Sequence, residues 1–347
     1  MKNKQNKQGQ LTIFIIIAIM IVAAIVSVFL FKDKIFQKGM PREMLPVYNY
    51  FLSCVEDETK MASSLMGTQA GYLEMPEFEP GSEYMPFSSH LNFLGFGVPY
   101  WYYVSANGIT KEQIPSKEKM ESQLEEHLKE RIKRCNFKDF ELQGFVVERE
   151  EAEVDVEIKD ERIEVKVDMP LTISSGELTS IQKTHKIEAK TKFGKFYKIA
   201  KKIYEKEKND MFLENYAVDV LRLYAPVDGT ELTCSPKIWS QNNIKTDLKN
   251  ALQENTQAIK IKGDYYLSTK ENKYFIQDME ENINDNINFL YFKEWPTKIE
   301  IYPDEEPLIA NPVGLQEGLG ILGFCYVPYH FVYDIAYPVL IQVYDSR

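Results

Sequence analysis

The stretch "AEVDVEIKDERIEVKVDMPLTI", residues 152–173, decides the fold class. On both sides of a central "KDE" the apolar residues occupy every second position; they are Val154, Val156, Ile158, Ile163, Val165 and Val167. Alternation of period two puts these side chains on one face of an extended chain. The stretch therefore predicts an antiparallel β-meander with one buried face and one solvent-facing face, turning at residues 159–161. "ELTSIQKTHKIEAK", residues 177–190, is expected to add another strand.

Helical periodicity dominates the segments that flank this sheet. Apolar spacing of three and four residues predicts helices over about residues 42–68, 116–135, 193–216 and 244–259. Ser116 follows a proline and precedes acidic residues, which is typical of a helix N-cap. "LNFLGFGVPYWYYV", residues 91–104, predicts one or two short aromatic strands.

The expected class is thus α+β, with an N-terminal transmembrane helix, further helices, a central antiparallel β-meander and a mixed α/β C-terminal domain. The expected division is a membrane-proximal helical region over 32–140, a sheet with a long helix over 141–225, and the mixed domain over 226–347. Residues 225–236 are rich in turn formers and mark the predicted boundary.

The N-terminus carries an apolar run bounded by lysines. A basic tail, residues 1–10, precedes residues 11–31, which contain no charge and number 31 − 11 + 1 = 21. As a helix, this run would be about 32 Å long, against a hydrocarbon core of about 30 Å. It exceeds the apolar core of a cleaved signal, so a membrane-spanning helix held in the lipid bilayer is predicted. Lysines flank both ends almost equally and do not decide the orientation.

"KQGQLTIF", residues 7–14, resembles the class III (type IV prepilin-like) signals of archaeal surface proteins. The resemblance implies cleavage after Gly9, with Gln10 as the new N-terminus. Phe14 stands where bacterial pilins place a glutamate. The wider layout is similar to uncharacterised archaeal single-span surface proteins, through "SCVEDETKMASSLMGTQAGYLEMP" (53–76) and "CYVPYHFVYDIAYPVLIQV" (325–343). This likeness implies a location at the cell surface.

The charge of the chain excludes one class of partner. Residues 1–42 hold seven Lys and Arg and one Asp, giving +6, so residues 43–347 carry −11 − 6 = −17. Nucleic acids and anionic membrane surfaces require clustered cations, so no nucleic-acid partner is expected. An envelope protein or a glycan remains as the expected partner.

Four separated cysteines, Cys54, Cys135, Cys234 and Cys325, allow three disulfide pairings. Cys54–Cys135 with Cys234–Cys325 is favoured, because each bond would brace one half of the chain. Four buried free thiols are the alternative. Disulfides would place the body outside the cytoplasm.

Few residues are candidates for catalysis or ligand binding, and no catalytic, cofactor-binding or metal-binding set is predicted. His127 and His185 are expected to be solvated, and His330 to be packed in a core. "ENINDNIN", residues 281–288, is interpreted as a polar turn, with only a loose likeness to a calcium loop.

One aromatic run is a possible binding surface; it consists of Tyr100, Trp101, Tyr102 and Tyr103. These rings could stack on sugars, although burial of alternate members in a core is the preferred interpretation.

The sequence favours a single-pass, membrane-anchored extracellular protein of the cell envelope, with a structural, adhesive or binding role rather than an enzymatic one. The alternatives are a type IV pilin-like filament subunit and a membrane-anchored ectoenzyme such as a hydrolase. The Gly39 to Pro41 break and Phe14 weigh against a continuous pilin helix.

Overall fold

A computed structural model describes residues 40–263, 266–279, 283–314 and 325–345. The predicted basic tail, the predicted span over 11–31 and the processing residues Gly9 and Gln10 lie outside these ranges. Within them, every helix is too short or too polar to cross a bilayer.

The described chain is α+β, as predicted, and contains six α-helices. They are α1 (Leu45–Thr68), α2 (Lys117–Ile132), α3 (Lys138–Glu141), α4 (Phe193–Asp210), α5 (Phe212–Tyr224) and α6 (Gln241–Ala258).

Antiparallel pairing joins most of the strands. In chain order they are β1 (His90–Phe93), β2 (Phe96–Pro99), β3 (Tyr102–Val104), β4 (Thr110–Glu112), β5 (Phe145–Arg149), β6 (Glu153–Ile158), β7 (Arg162–Ser175), β8 (Leu178–Lys190), β9 (Asp228–Glu231), β10 (Lys237–Trp239), β11 (Lys260–Ile261), β12 (Ile276–Gln277), β13 (Asn286–Leu290), β14 (Lys298–Tyr302), β15 (Leu308–Ala310), β16 (Val327–His330), β17 (Val332–Ala336) and β18 (Leu340–Tyr344).

The meander predicted around residues 159–161 is confirmed. β6 pairs with β7 in the register Val154↔Val167 to Ile158↔Ile163. The alternating apolar residues of both strands are buried, and the residues between them are exposed in β6 and mostly half-buried in β7. β5 and β8 also pair with β7, so the sheet has four strands.

The residues of the chain group into two compact units. One contains the described residues up to Phe51, Asn136–Glu150 and Pro170–Lys183. The other contains Leu52–Cys135, Glu151–Met169 and the described residues from Thr184 onward. The strands and helices of the C-terminal part all belong to the second unit.

Helix α2 has the cap and the apolar stripe that the sequence predicts. The Ser116 side chain accepts a hydrogen bond from the Lys119 N–H at 3.2 Å. Two half-buried glutamates of α2 bind the sheet: Glu121 accepts the Ile158 N–H (2.8 Å) and Glu125 accepts the Val156 N–H (3.1 Å). These bonds satisfy donors of β6, which would otherwise be open to another strand.

The single long helix predicted over residues 193–216 is wrong in one respect. Met211 adopts a left-handed conformation, with φ of 50°, and divides the segment into α4 and α5. The Glu207 side chain accepts the Leu213 N–H at 3.0 Å, which satisfies a free donor at the start of α5. The apolar spacing runs through the break, so it could not reveal it.

Two apolar clusters form the core of the C-terminal part. The first cluster lies among α5, α6, β14 and β17 and contains Leu248, Tyr291 and Ile301. The second lies among α4, α5, β13 and β18 and contains Ile203, Ile287 and Phe289. Each cluster therefore supports the inner face of one two-stranded ribbon.

Candidate functional site

The β13–β18 ribbon has an outward face without charge at neutral pH. Its inward residues, Ile287 and Phe289 with Ile341 and Val343, pack in the second cluster. Its outward residues form what we name the neutral face: Asn286, Asn288, Leu290, Leu340, Gln342 and Tyr344.

The amides of the neutral face make only long contacts with one another. The Asn288 amide nitrogen lies 3.4 Å from the Gln342 side-chain oxygen and 3.4 Å from the Tyr344 hydroxyl. Good N–H···O bonds are about 2.9–3.0 Å long. Much of the hydrogen-bonding capacity of these groups thus remains available to a ligand.

The β14–β17 ribbon has the same length and pairing but a different outer surface. Its outward residues form the charged face: Lys298, Glu300, Tyr302, Val332, Asp334 and Ala336. The Lys298 ammonium lies 2.6 Å from Asp334 and 3.3 Å from Glu300. The Tyr302 hydroxyl donates to Glu300 at 2.8 Å. These polar groups are therefore engaged with one another.

The neutral face was missed by the sequence interpretation, which predicted a polar turn over residues 281–288. Asn286–Leu290 is instead a strand, paired from Asn286↔Tyr344 to Leu290↔Leu340. The Asp285 side chain is 7% exposed, and its carboxylate binds the Lys195 ammonium at 2.8 Å. The signal that could have found the strand is the alternation of Asn with Ile287 and Phe289.

The predicted aromatic surface is divided by the fold. Tyr103 is buried and Tyr102 is 51% exposed, so these two consecutive rings point in different directions. The Trp101 indole donates to the Ala70 carbonyl at 2.9 Å and packs edge-on against Tyr197. Tyr100 is half-buried, and burial raises its pKa. A binding role for the four stays a prediction, with Tyr102 the most accessible ring.

Two of the histidine predictions are wrong. His185 is fully buried beside Ile187 on the inner face of β8, and its Nε2 lies 2.8 Å from the Met169 carbonyl oxygen, to which it donates. Burial lowers the pKa of His185 and keeps the ring neutral. His330 is exposed, because the alternation of β16 turns Val327 inward and His330 outward. His127 is half-buried on α2, so it is solvated only in part.

Both disulfides form in the favoured pairing, Cys54–Cys135 and Cys234–Cys325. Cys135 and Cys325 are buried, whereas Cys234 is exposed. A depression of about 430 Å³ is lined by Leu232, Thr233 and the Cys234–Cys325 bond. This lining supplies no charged group for acid–base chemistry.

One pair of carboxyl groups has unusual electrostatics. Burial raises the pKa of Glu207 to about 8, and a hydrogen bond with Glu214 adds to the rise. Glu207 also caps α5 by accepting the Leu213 N–H. The Glu207–Glu214 pair therefore stabilises the break between α4 and α5. The arrangement has a structural explanation.

Among the residues that the structure describes, no three His, Cys, Asp or Glu side chains converge as a metal site requires. Comparison of the chain with known protein families, with curated proteins and with solved structures finds no match.

Proposed function

We propose that this chain is a single-pass, membrane-anchored protein whose body lies outside the cytoplasm and serves as a structural, adhesive or binding component of the cell envelope. The observation that carries the location is the pair of disulfides, which join residues 81 and 91 positions apart. Disulfides persist in oxidising compartments and are rare in the cytosol. The 21-residue apolar run supports the anchor.

The binding role is supported by the neutral face. Charged side chains of both signs, as on the charged face, are the usual composition of a surface that only keeps a protein soluble. The neutral face instead carries amides whose hydrogen-bonding capacity is only partly used, with two half-buried leucines at one end. Such a mixture of polar and apolar groups suits recognition of another molecule.

The test is protease treatment of intact cells that express the full chain, followed by non-reducing mass spectrometry of the purified protein. We expect external protease to remove the body while a short N-terminal fragment remains with the membrane. The spectra should show both disulfides. A body that is protected until the cells are lysed, or four thiols that react with maleimide in unreduced protein, would overturn the proposed location.

A further inference from the structure

We propose that the neutral face of the β13–β18 ribbon binds a neutral, hydroxyl-rich glycan chain. This inference rests on the proposed function and names the ligand class of its binding surface. It is argued from the groups that the face presents, from their charge and from their spacing along the ribbon.

The polar groups of the face match sugar hydroxyls. Each amide of Asn286, Asn288 and Gln342 offers two N–H donors and one carbonyl acceptor, and the Tyr344 hydroxyl offers one of each. Sugar hydroxyls likewise donate and accept, so each amide can engage two hydroxyls of one ring. The 3.4 Å contacts within the face leave these groups weakly committed.

The apolar groups of the face match the C–H surfaces of sugar rings. Leu290 and Leu340 are directly opposite each other at one end, and the Tyr344 ring lies opposite Asn286 at the other. With about 3.4 Å per residue, the four steps from Asn286 to Leu290 span about 14 Å. Apolar, amide and aromatic groups therefore follow one another along a line, which suits an extended chain.

Charge excludes the anionic polymers. Residues 43–347 carry −11 − 6 = −17, and the face contains no Lys or Arg to offset this charge. An acidic polysaccharide would be repelled and would gain no ion pair. On the charged face, Lys298 is already bound to Asp334 and Glu300. The matching ligand is consequently uncharged.

The experiment compares two double variants of the full chain in detergent micelles or nanodiscs. Asn288→Asp with Gln342→Glu adds two charges to the neutral face without changing side-chain shape. Glu300→Gln with Asp334→Asn makes the reverse exchange on the charged face and is the matched control. Retention on immobilised mannan and dextran is measured beside alginate, and thermal melting confirms that each variant is folded.

We expect the unaltered chain to bind at least one neutral polymer but not alginate. Asn288→Asp with Gln342→Glu should weaken this binding at least tenfold, while the control changes it by less than twofold. Equal binding by the neutral-face variant, a preference for alginate, or no binding to either neutral polymer would overturn the inference.

Two further results separate this inference from the proposed function. Binding to an envelope protein that is lost in the neutral-face variant, without binding to neutral polymers, overturns the glycan ligand and leaves the proposed function standing. A body that external protease cannot reach in intact cells overturns the proposed function, whatever the polymers show.

Discussion

Two ribbons of the C-terminal part, β13–β18 and β14–β17, have strands of five residues each. Their inner faces are built alike, and their outer faces differ. Each has five antiparallel pairs, and each buries alternate residues in an apolar cluster. The outer face of β14–β17 is joined by ion pairs around Lys298, whereas the outer face of β13–β18 carries amides that touch only at 3.4 Å. Apolar inner faces thus support both ribbons, and close polar contacts join the outer groups of only one.

The largest expected effect tests the shared interior. Phe289→Ala and Ile301→Ala remove side chains that are 0% and 1% exposed. We expect the free energy of unfolding to fall by about 3–5 kcal/mol and about 2–5 kcal/mol respectively. Urea unfolding of the oxidised protein measures both. As control, Val332→Ala on the outer surface should change stability by about 0.5 kcal/mol or less. If either core variant were as mild as this control, the ribbons would not share one mode of support.

The next effect tests the outer faces. Lys298→Met keeps the apolar stem but leaves two carboxylates without their common cation, and we expect a loss of about 1 kcal/mol. Asn288→Ala should cost about 0.5 kcal/mol or less, because its hydrogen bonds are long. The two losses are compared through the midpoints of urea unfolding, provided that the dependence of the unfolding free energy on urea concentration is unchanged. An equal loss in both variants would mean that the neutral face is a stabilising network, and would remove the reason to assign it to a ligand.

A smaller effect distinguishes the faces by pH. The hydrogen bond to Asp334 raises the pKa of Lys298 above its usual 10.5. The stabilisation by this ammonium is therefore fully present below about pH 10.5 and is lost as pH rises through the higher, folded-state pKa. The stability difference between the unaltered chain and Lys298→Met should accordingly shrink by less than about 1 kcal/mol above pH 10.5. A difference that grew with pH would contradict the assigned ion pair.

The smallest effect is that of salt. At 1 M NaCl the screening length falls to about 3 Å, from about 10 Å at 0.1 M. The loss in Lys298→Met should diminish by a few tenths of a kcal/mol over this range. The loss in Asn288→Ala should not respond. A salt response in the Asn288 variant would reveal a charge acting on the neutral face.

A second comparison, between the central meander and the β13–β18 ribbon, explains how much of the fold the sequence could predict. In residues 152–173, the alternating strands are neighbours in sequence and pair with each other. The sequence pattern therefore already indicates that Val156 pairs with Val165. β13 pairs with β18, 50 or more residues away, and nothing near Asn288 in the sequence indicates Gln342 as its partner. The neutral face exists only after this long-range pairing, which is why composition alone suggested a turn there.

Long-range strand pairing also explains why the burial of single histidines could not be predicted from their neighbours in sequence. His185 lies among polar neighbours in sequence, yet its strand turns it toward Ile187, where the Met169 carbonyl satisfies it. His330 lies among aromatic neighbours and faces solvent. For both, strand register decided burial, and neighbours in sequence did not. The disulfides were easier, because only three pairings were possible and loop bracing favoured the one observed.

The turn at residues 159–161 connects two strands and also seats the start of α4. A Cβ atom at Gly194 would lie 2.4 Å from the Lys159 carbonyl oxygen, and the Lys195 N–H donates to the Asp160 carbonyl at 3.2 Å. Backbone this closely engaged does not accept added residues. At Gly176, in contrast, a Cβ atom would meet nothing within 4 Å. A reporter tag or an antibody epitope therefore belongs beside Gly176, and the turn at residues 159–161 should be left intact.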